Sequence, residues 1–437
     1  MTIRTSRSLP VAETSPPPPF PLVGAHFGAA FGWAMLGGVA LIWLAPTLAQ
    51  GVFLDPRLLG TTHLFTLGWL TTVITGVLYQ IFPAMLGVSA RSLRVARFSL
   101  IAHNLGVILL VSGLLTGRAL VQSAGWAALF TAVFGTAWNL LPQRRKAQRN
   151  RQLGIYISYA HMGFGLAIAI AGVRIGDGLG WWTTPRLGLL AAHFHFAAVG
   201  FATMTAFGVG GQMLPMFLGV VGRPPVLLGW LPRILASGTV VFAIGTIAGQ
   251  PGATWLGAGL MAAATVGFLG LAVRWFRGRN RRGLDPTTAL LLSALIWLGL
   301  AVVLGLVALV RGPINPGVII SYAVLILLGW LTGMILGVSF RVLPTLIWHH
   351  RFAAQRPRPG APTQAEMVVP ALGWATLAMH ASGILLLVLG MVDSSPIQVR
   401  GGAILFTASI LVTISHHLRL LLIGRGGSTN RAGAASG

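Results

Sequence analysis

The sequence predicts an all-α polytopic membrane protein of twelve transmembrane helices in three pseudo-repeats of four. Three observations carry this. The 437 residues are 55% hydrophobic and only 8% charged, a balance that soluble domains do not have. Apolar runs of about 20 residues, long enough to cross a bilayer, recur along the chain and must be helical if their backbone is to be satisfied in hydrocarbon. The longest of them come in related copies. His63–Gly87, His195–Gly219 and Val324–Trp348 align on Pro83, Pro215 and Pro344. They share Gly68, Gly200 and Gly329, then Thr71, Thr203 and Thr332, then Gly76, Gly208 and Gly337. The interval of about 130 residues is too long for a solenoid and fits one multi-helix unit used three times.

The spans cover roughly residues 23–46, 61–86, 96–117, 119–141, 153–175, 187–218, 226–249, 252–275, 287–310, 316–347, 368–391 and 400–423. The copies are then the second, sixth and tenth spans. Other spans keep the same phase. Ala25-His26 in the first matches Ala160-His161 in the fifth. His103, Gly106 and Gly113 in the third match Gly238 and Gly245 in the seventh and His380, Gly383 and Gly390 in the eleventh. The units are 23–150, 151–284 and 285–424 of one membrane domain. Residues 1–22, polar and carrying Pro16–Pro19, read as a disordered cytoplasmic arm, and 425–437 as a disordered tail.

The net charge of +24 does not point to nucleic acid, because the basic residues lie between apolar spans and no soluble face gathers them. They read as topology signals and contacts to anionic lipid. The two tails and the even-numbered loops hold 24 of the 30 Lys and Arg, which by the positive-inside rule places both termini in the cytoplasm. There is no cysteine, so disulfides, thiolate ligands and c-type haem attachment are excluded.

Six acids accompany eleven histidines, and most acids fall in loops or tails. Ionisable groups inside a membrane need a reason, and neutral imidazole is both cheap to bury and a ligand for metals and haem iron. His63, His193 and His195 are expected near the outer surface, as a cluster repeated between copies, and are the candidate metal ligands. The third copy carries Val324 where the others have His63 and His195, and Tyr322 where the second has His193. His193 and His195 differ by about 200° around a helix, so they face opposite sides and do not share one ion. His103 and His380 are further candidate cofactor ligands. His26 and His161 read equally as histidines bonded to a helix carbonyl. His349-His350 and His416-His417 read as interfacial side chains. Gln80, Gln212 and Arg341, equivalent in the copies, are expected to line a polar channel, contact haem propionates or bond the helix ends.

Twelve helices in three quasi-repeats resemble subunit I of the haem-copper oxidases. The pattern H-x4-G-W/F-x-T-x4-G-V-x5-P, in His63–Pro83 and His195–Pro215, is similar to the central helices of oxidase-like and NnrS-type membrane proteins, and His193-Phe194-His195 matches the NnrS HxH pair. The resemblance implies a bacterial-type inner membrane, haem b with copper as a further group, nitric oxide or dioxygen as a gas ligand, and an electron-donor protein or other membrane subunit as partner. If the chain is an enzyme, it is an oxidoreductase. The departures are specific. Gly317–Pro344 has no histidine, Trp230–Gly238 has no His-His pair, and Phe196 replaces the glutamate that follows HxH. Proton-pumping oxygen reduction is therefore not expected. Haem held by His63 with His195 or His193 is the leading expectation. A histidine-dependent metal or small-solute transporter without haem is the alternative, weakened by the lack of an intramembrane acid to couple an ion.

Overall fold

A computed structural model describes residues 19–147, 149–280, 283–311, 316–352 and 362–423. Most of the predicted arm and the whole predicted tail lie outside the described residues. The described chain is helical and contains twelve helices long and apolar enough to cross a membrane. They are α1 Phe20–Trp43, α2 Pro56–Leu86, α3 Leu93–Thr116, α4 Ala119–Lys146, α5 Arg151–Gly178, α6 Arg186–Leu218, α7 Val226–Ile247, α8 Pro251–Arg277, α9 Pro286–Arg311, α10 Pro316–Phe352, α11 Pro370–Val392 and α12 Pro396–Leu422. The protein is a multi-pass membrane protein.

The centre is built from α2, α6 and α10, which with α5 are the most buried spans. Each contains an eight-residue π-helical segment, Leu64–Thr71, Phe196–Thr203 and Leu325–Thr332. Each segment stands at the same distance before its proline. π-Helix is rare because its wider turn misplaces carbonyls, and it concentrates at functional sites. Threonines repair the turn: Thr71 donates to the Thr66 carbonyl at 2.8 Å, Thr72 to Leu67 at 3.1 Å and Thr332 to Leu327 at 2.9 Å. Thr332 and its equivalent Thr203 also tie the central helices together. Trp69 of α2 donates its indole N–H to Thr332 of α10 at 3.1 Å, and Trp330 of α10 donates to Thr203 of α6 at 3.2 Å. Phe201 stands at the matching position of α6 and has no such donor. We expect Trp69→Phe to lower stability by about 1 kcal/mol, the net value of one hydrogen bond, as read by unfolding in mixed detergent.

The outer helices form close pairs, α3 with α4, α7 with α8 and α11 with α12. Glycine makes this approach possible. A Cβ on Gly238 would lie 2.8 Å from the Met261 nitrogen, on Gly383 2.7 Å from the Phe406 nitrogen and on Gly402 2.6 Å from the Leu387 nitrogen. Gly106, Gly113, Gly125, Gly245, Gly257 and Gly390 sit at the corresponding backbone contacts. In lipid, where apolar side chains gain nothing by leaving solvent, such close packing drives helix association. The ring closes where α4 meets α5, α8 meets α9 and α12 meets α1.

One register differs from the sequence reading. Gly76 of α2 packs on His26 of α1, whereas Gly208 of α6 packs on Tyr156 of α5. His26 therefore corresponds to Tyr156, and the Ala25-His26 match to Ala160-His161 does not hold. A second expectation also fails. His349 and His350 are exposed, but His416 and His417 are buried at 0% and 8% exposure. Phe340 of α10 stacks on His416 at 4.7 Å, and Phe31 of α1 approaches His417. The inner face of α12 takes both rings into the protein.

Candidate functional site

Two histidines from different central helices meet near the less basic end of the bundle. His63 lies where α2 passes into its π segment, and His193 lies one turn before the π segment of α6. Their ring centroids are 6.3 Å apart. Each ring is oriented by a backbone carbonyl: His63 Nδ1–H donates to Leu59 at 2.7 Å, and His193 Nδ1–H donates to Ala167 of α5 at 2.9 Å. A carbonyl only accepts, so Nδ1 carries the hydrogen and Nε2 keeps its lone pair in both rings. This is the arrangement that fixes the tautomer and ring angle of metal-bound histidine.

Both rings line a cavity of 120 Å³ between α2, α5 and α6, closed on one side by Trp126 of α4 and floored by Phe164 and Phe201. No carboxylate lines it. At this end of the bundle, Asp55 is held by Arg57, and Asp177 is held by Arg174. Among the described residues, no three histidine or carboxylate side chains form a group able to hold a metal ion.

The donor set fits haem better than a bare ion. Two imidazoles on opposite sides of one iron, with bonds of about 2.0–2.1 Å and a ring radius of about 1.1 Å, have centroids about 6.3 Å apart. Two protein ligands suffice for haem, whose macrocycle brings the others and compensates the charge of the iron. A divalent ion alone would face an apolar cavity with two neutral donors and no counter-charge.

His195 does not join this pair. It points into a different cavity, between α6 and α10, as the 200° separation predicts. Its Nδ1–H donates to Ala191 at 2.8 Å, and its Nε2 lies 3.0 Å from the Tyr322 hydroxyl, from which it accepts. The nitrogen that would ligate is therefore already engaged.

His103 and His380 serve the π segments. His103 Nε2–H donates to the Leu67 carbonyl and His380 Nε2–H to the Leu328 carbonyl, each at 2.9 Å. Leu67 and Leu328 are equivalent in the copies, so one device recurs: an outer-helix histidine satisfies a carbonyl that the wide turn displaces. We expect His103→Leu to cost about 1 kcal/mol of stability, because Thr72 still bonds the same carbonyl, and to leave any bound cofactor in place. Detergent unfolding and absorption spectra on one sample check both.

His26 and His161 bond their own helix carbonyls, Leu22 and Ile157, each at 2.8 Å. With His103, Ser99 and Thr136 they line a polar cavity of 20 Å³, room for one water molecule. Arg341 is spent on Asp285 and stacks on Phe217 at 4.8 Å. It lies at the opposite end of the bundle from His63, so neither it nor a polar channel belongs to this site.

The sequence leaves His193 and His195 as alternative partners of His63, and the crossing of α2 and α6 brings His193 to it while His195 faces Tyr322. No protein-family model matches the chain, and no curated protein matches it in sequence.

Proposed function

We propose that this chain is a haem-binding integral membrane protein of electron transfer, in a bacterial-type inner membrane with both termini in the cytoplasm. The observation that carries the reading is the pair His63 and His193, each with Nδ1 committed to a carbonyl and Nε2 free, 6.3 Å apart across one cavity. Bound haem would supply one-electron redox chemistry there.

The chain's own residues do the rest. His63 and His193 would hold the haem iron through Nε2. The Leu59 and Ala167 carbonyls raise the basicity of the opposite nitrogens and fix the rings. Trp126, Phe164 and Phe201 exclude water. The nitric oxide or dioxygen handling implied by the resemblance needs an open coordination position, and two imidazoles leave none. Electron transfer is the reading favoured here, with an electron-donor protein as partner. Copper lacks a third donor beside the pair.

Transport along the central axis is disfavoured. The cavity between α2, α6 and α10 has a volume of 80 Å³ and is walled mainly by Val73, Val77, Ala206, Val209, Met334 and Val338. An ion there would find little to replace its hydration.

Reduced-minus-oxidised spectra with iron and copper analysis of the detergent-purified protein test the proposal. A Soret band with about one iron per chain is expected; absence of both would end it.

A further inference from the structure

The bundle has a second cavity, one unit further round. The first lies among α2 to α6; the second lies among α6 to α10 and is larger, at 360 Å³. The polar pairs that mark them are equivalent in the sequence copies. His63 corresponds to His195, and His193 corresponds to Tyr322. The second cavity therefore presents imidazole and phenol where the first presents two imidazoles.

The hydrogen bonds fix what this pair offers a ligand. His195 Nδ1–H is tied to the Ala191 carbonyl, so Nε2 must accept, and the Tyr322 hydroxyl must donate to it. The Tyr322 oxygen keeps a free lone pair. The site is thus an acceptor that recognises a hydroxyl donor, with a line running from the ligand hydroxyl through Tyr322 to the imidazole. Aromatic faces surround it. Phe242 packs on His195 at 4.2 Å between centroids, and Tyr322 lines the same wall. Beyond them the cavity is mainly apolar, walled by Met261, Ala258, Ala301 and Leu298. The Thr203 and Thr265 hydroxyls that also line it are engaged by the Trp330 indole and the Met261 carbonyl, and the α9 side chains Val302 and Leu306 are partly exposed. One polar anchor at the end of a roomy apolar chamber is the usual form of a small-molecule site.

We propose that this cavity binds a hydroxylated aromatic ring carrying an apolar tail, the chemistry of a membrane hydroquinone. The ring hydroxyl donates to Tyr322, the ring lies against Phe242, and the tail leaves along α9 toward lipid. Binding does not depend on haem in the first cavity. If both are filled, α6 is the shared wall, with His193 on one side and His195 on the other.

The test uses the purified full-length chain and two probes, 2-heptyl-4-hydroxyquinoline N-oxide and 2-heptylquinoline N-oxide, which lacks the hydroxyl. Saturable binding of about one hydroxylated probe per chain is expected, with the bare probe about tenfold weaker, the typical worth of one buried hydrogen bond. In a His195→Leu/Tyr322→Phe double variant that difference should fall to about onefold. Ala301→Phe, which puts a ring into the chamber, should abolish binding of both probes while leaving the spectrum of any haem unchanged. Non-saturable partitioning that is the same for both probes would mean that the cavity takes lipid chains, and would overturn the proposal. If the double variant does not fold, equal affinity of the two probes for the wild-type chain, or unaltered binding to Ala301→Phe, overturns it equally. Loss of haem with probe binding intact would count against the first cavity alone.

Discussion

His63→Ala and His193→Ala are each expected to reduce haem content from about one per chain to less than a tenth of that, whereas His195→Ala should retain it. The asymmetry follows from the hydrogen bonds. His63 and His193 each keep a free Nε2 over one cavity, and removing either leaves a single axial ligand in an apolar site. Such a site loses the bond and the preorientation supplied by a backbone carbonyl, and second-shell loss alone lowers metal affinity about 10- to 100-fold. His195 Nε2 already accepts from Tyr322 and faces another cavity. Pyridine haemochrome content per chain, measured on monodisperse protein, checks all three. The order itself is informative: it separates the two histidines that the sequence leaves as alternative partners of His63.

Gly402→Leu and Gly257→Leu are expected to be the most damaging substitutions outside the site. At Gly402 an added Cβ would sit 2.6 Å from the Leu387 nitrogen, and at Gly257 it would meet the Phe242 backbone. Backbone cannot yield as a flexible side chain does, so the paired helices must part. Overpacking of this kind costs about 1–3 kcal/mol in a core that can adjust, and these contacts recur along the whole helix pair, so about 3 kcal/mol or more is expected. Gly259→Leu and Gly270→Leu provide the control, because nothing lies within 4 Å of a Cβ at either position. Membrane yield and the monodisperse fraction in detergent should collapse for the first two and stay at the wild-type level for the controls. Equal behaviour of all four would contradict the packing account.

These contacts also explain what the sequence made legible. The membrane class and the twelve spans follow from composition and apolar run length, which the bilayer dictates directly. The repeated glycines of the third, seventh and eleventh spans were visible because backbone contact admits no other residue. The repeated Thr71, Thr203 and Thr332 were visible too, but their role was not. Two of them accept an indole N–H from a neighbouring central helix, and Thr71 and Thr332 bridge a π turn, features that no local pattern announces.

What failed failed for physical reasons. The Ala-His match between the first and fifth spans was two residues long, and the packing of Gly76 and Gly208 shows a different register. The His416-His417 pair near a helix end looked interfacial, but Phe340 and Phe31 draw it inward. Spacing along α6 separates His193 from His195 but does not say which of them meets His63. The crossing of the helices does, at two interfaces that α6 serves from its two sides.

The coordination state of the haem iron tests the central claim most directly. Electron paramagnetic resonance of the oxidised protein, with carbon monoxide added to a reduced portion of the same sample, reports whether both axial positions are filled. The pairing of His63 with His193 predicts a low-spin ferric signal and a reduced spectrum that carbon monoxide leaves unchanged. A high-spin signal with a carbon monoxide-shifted Soret band, or a low-spin signal that persists in His193→Ala, would contradict it.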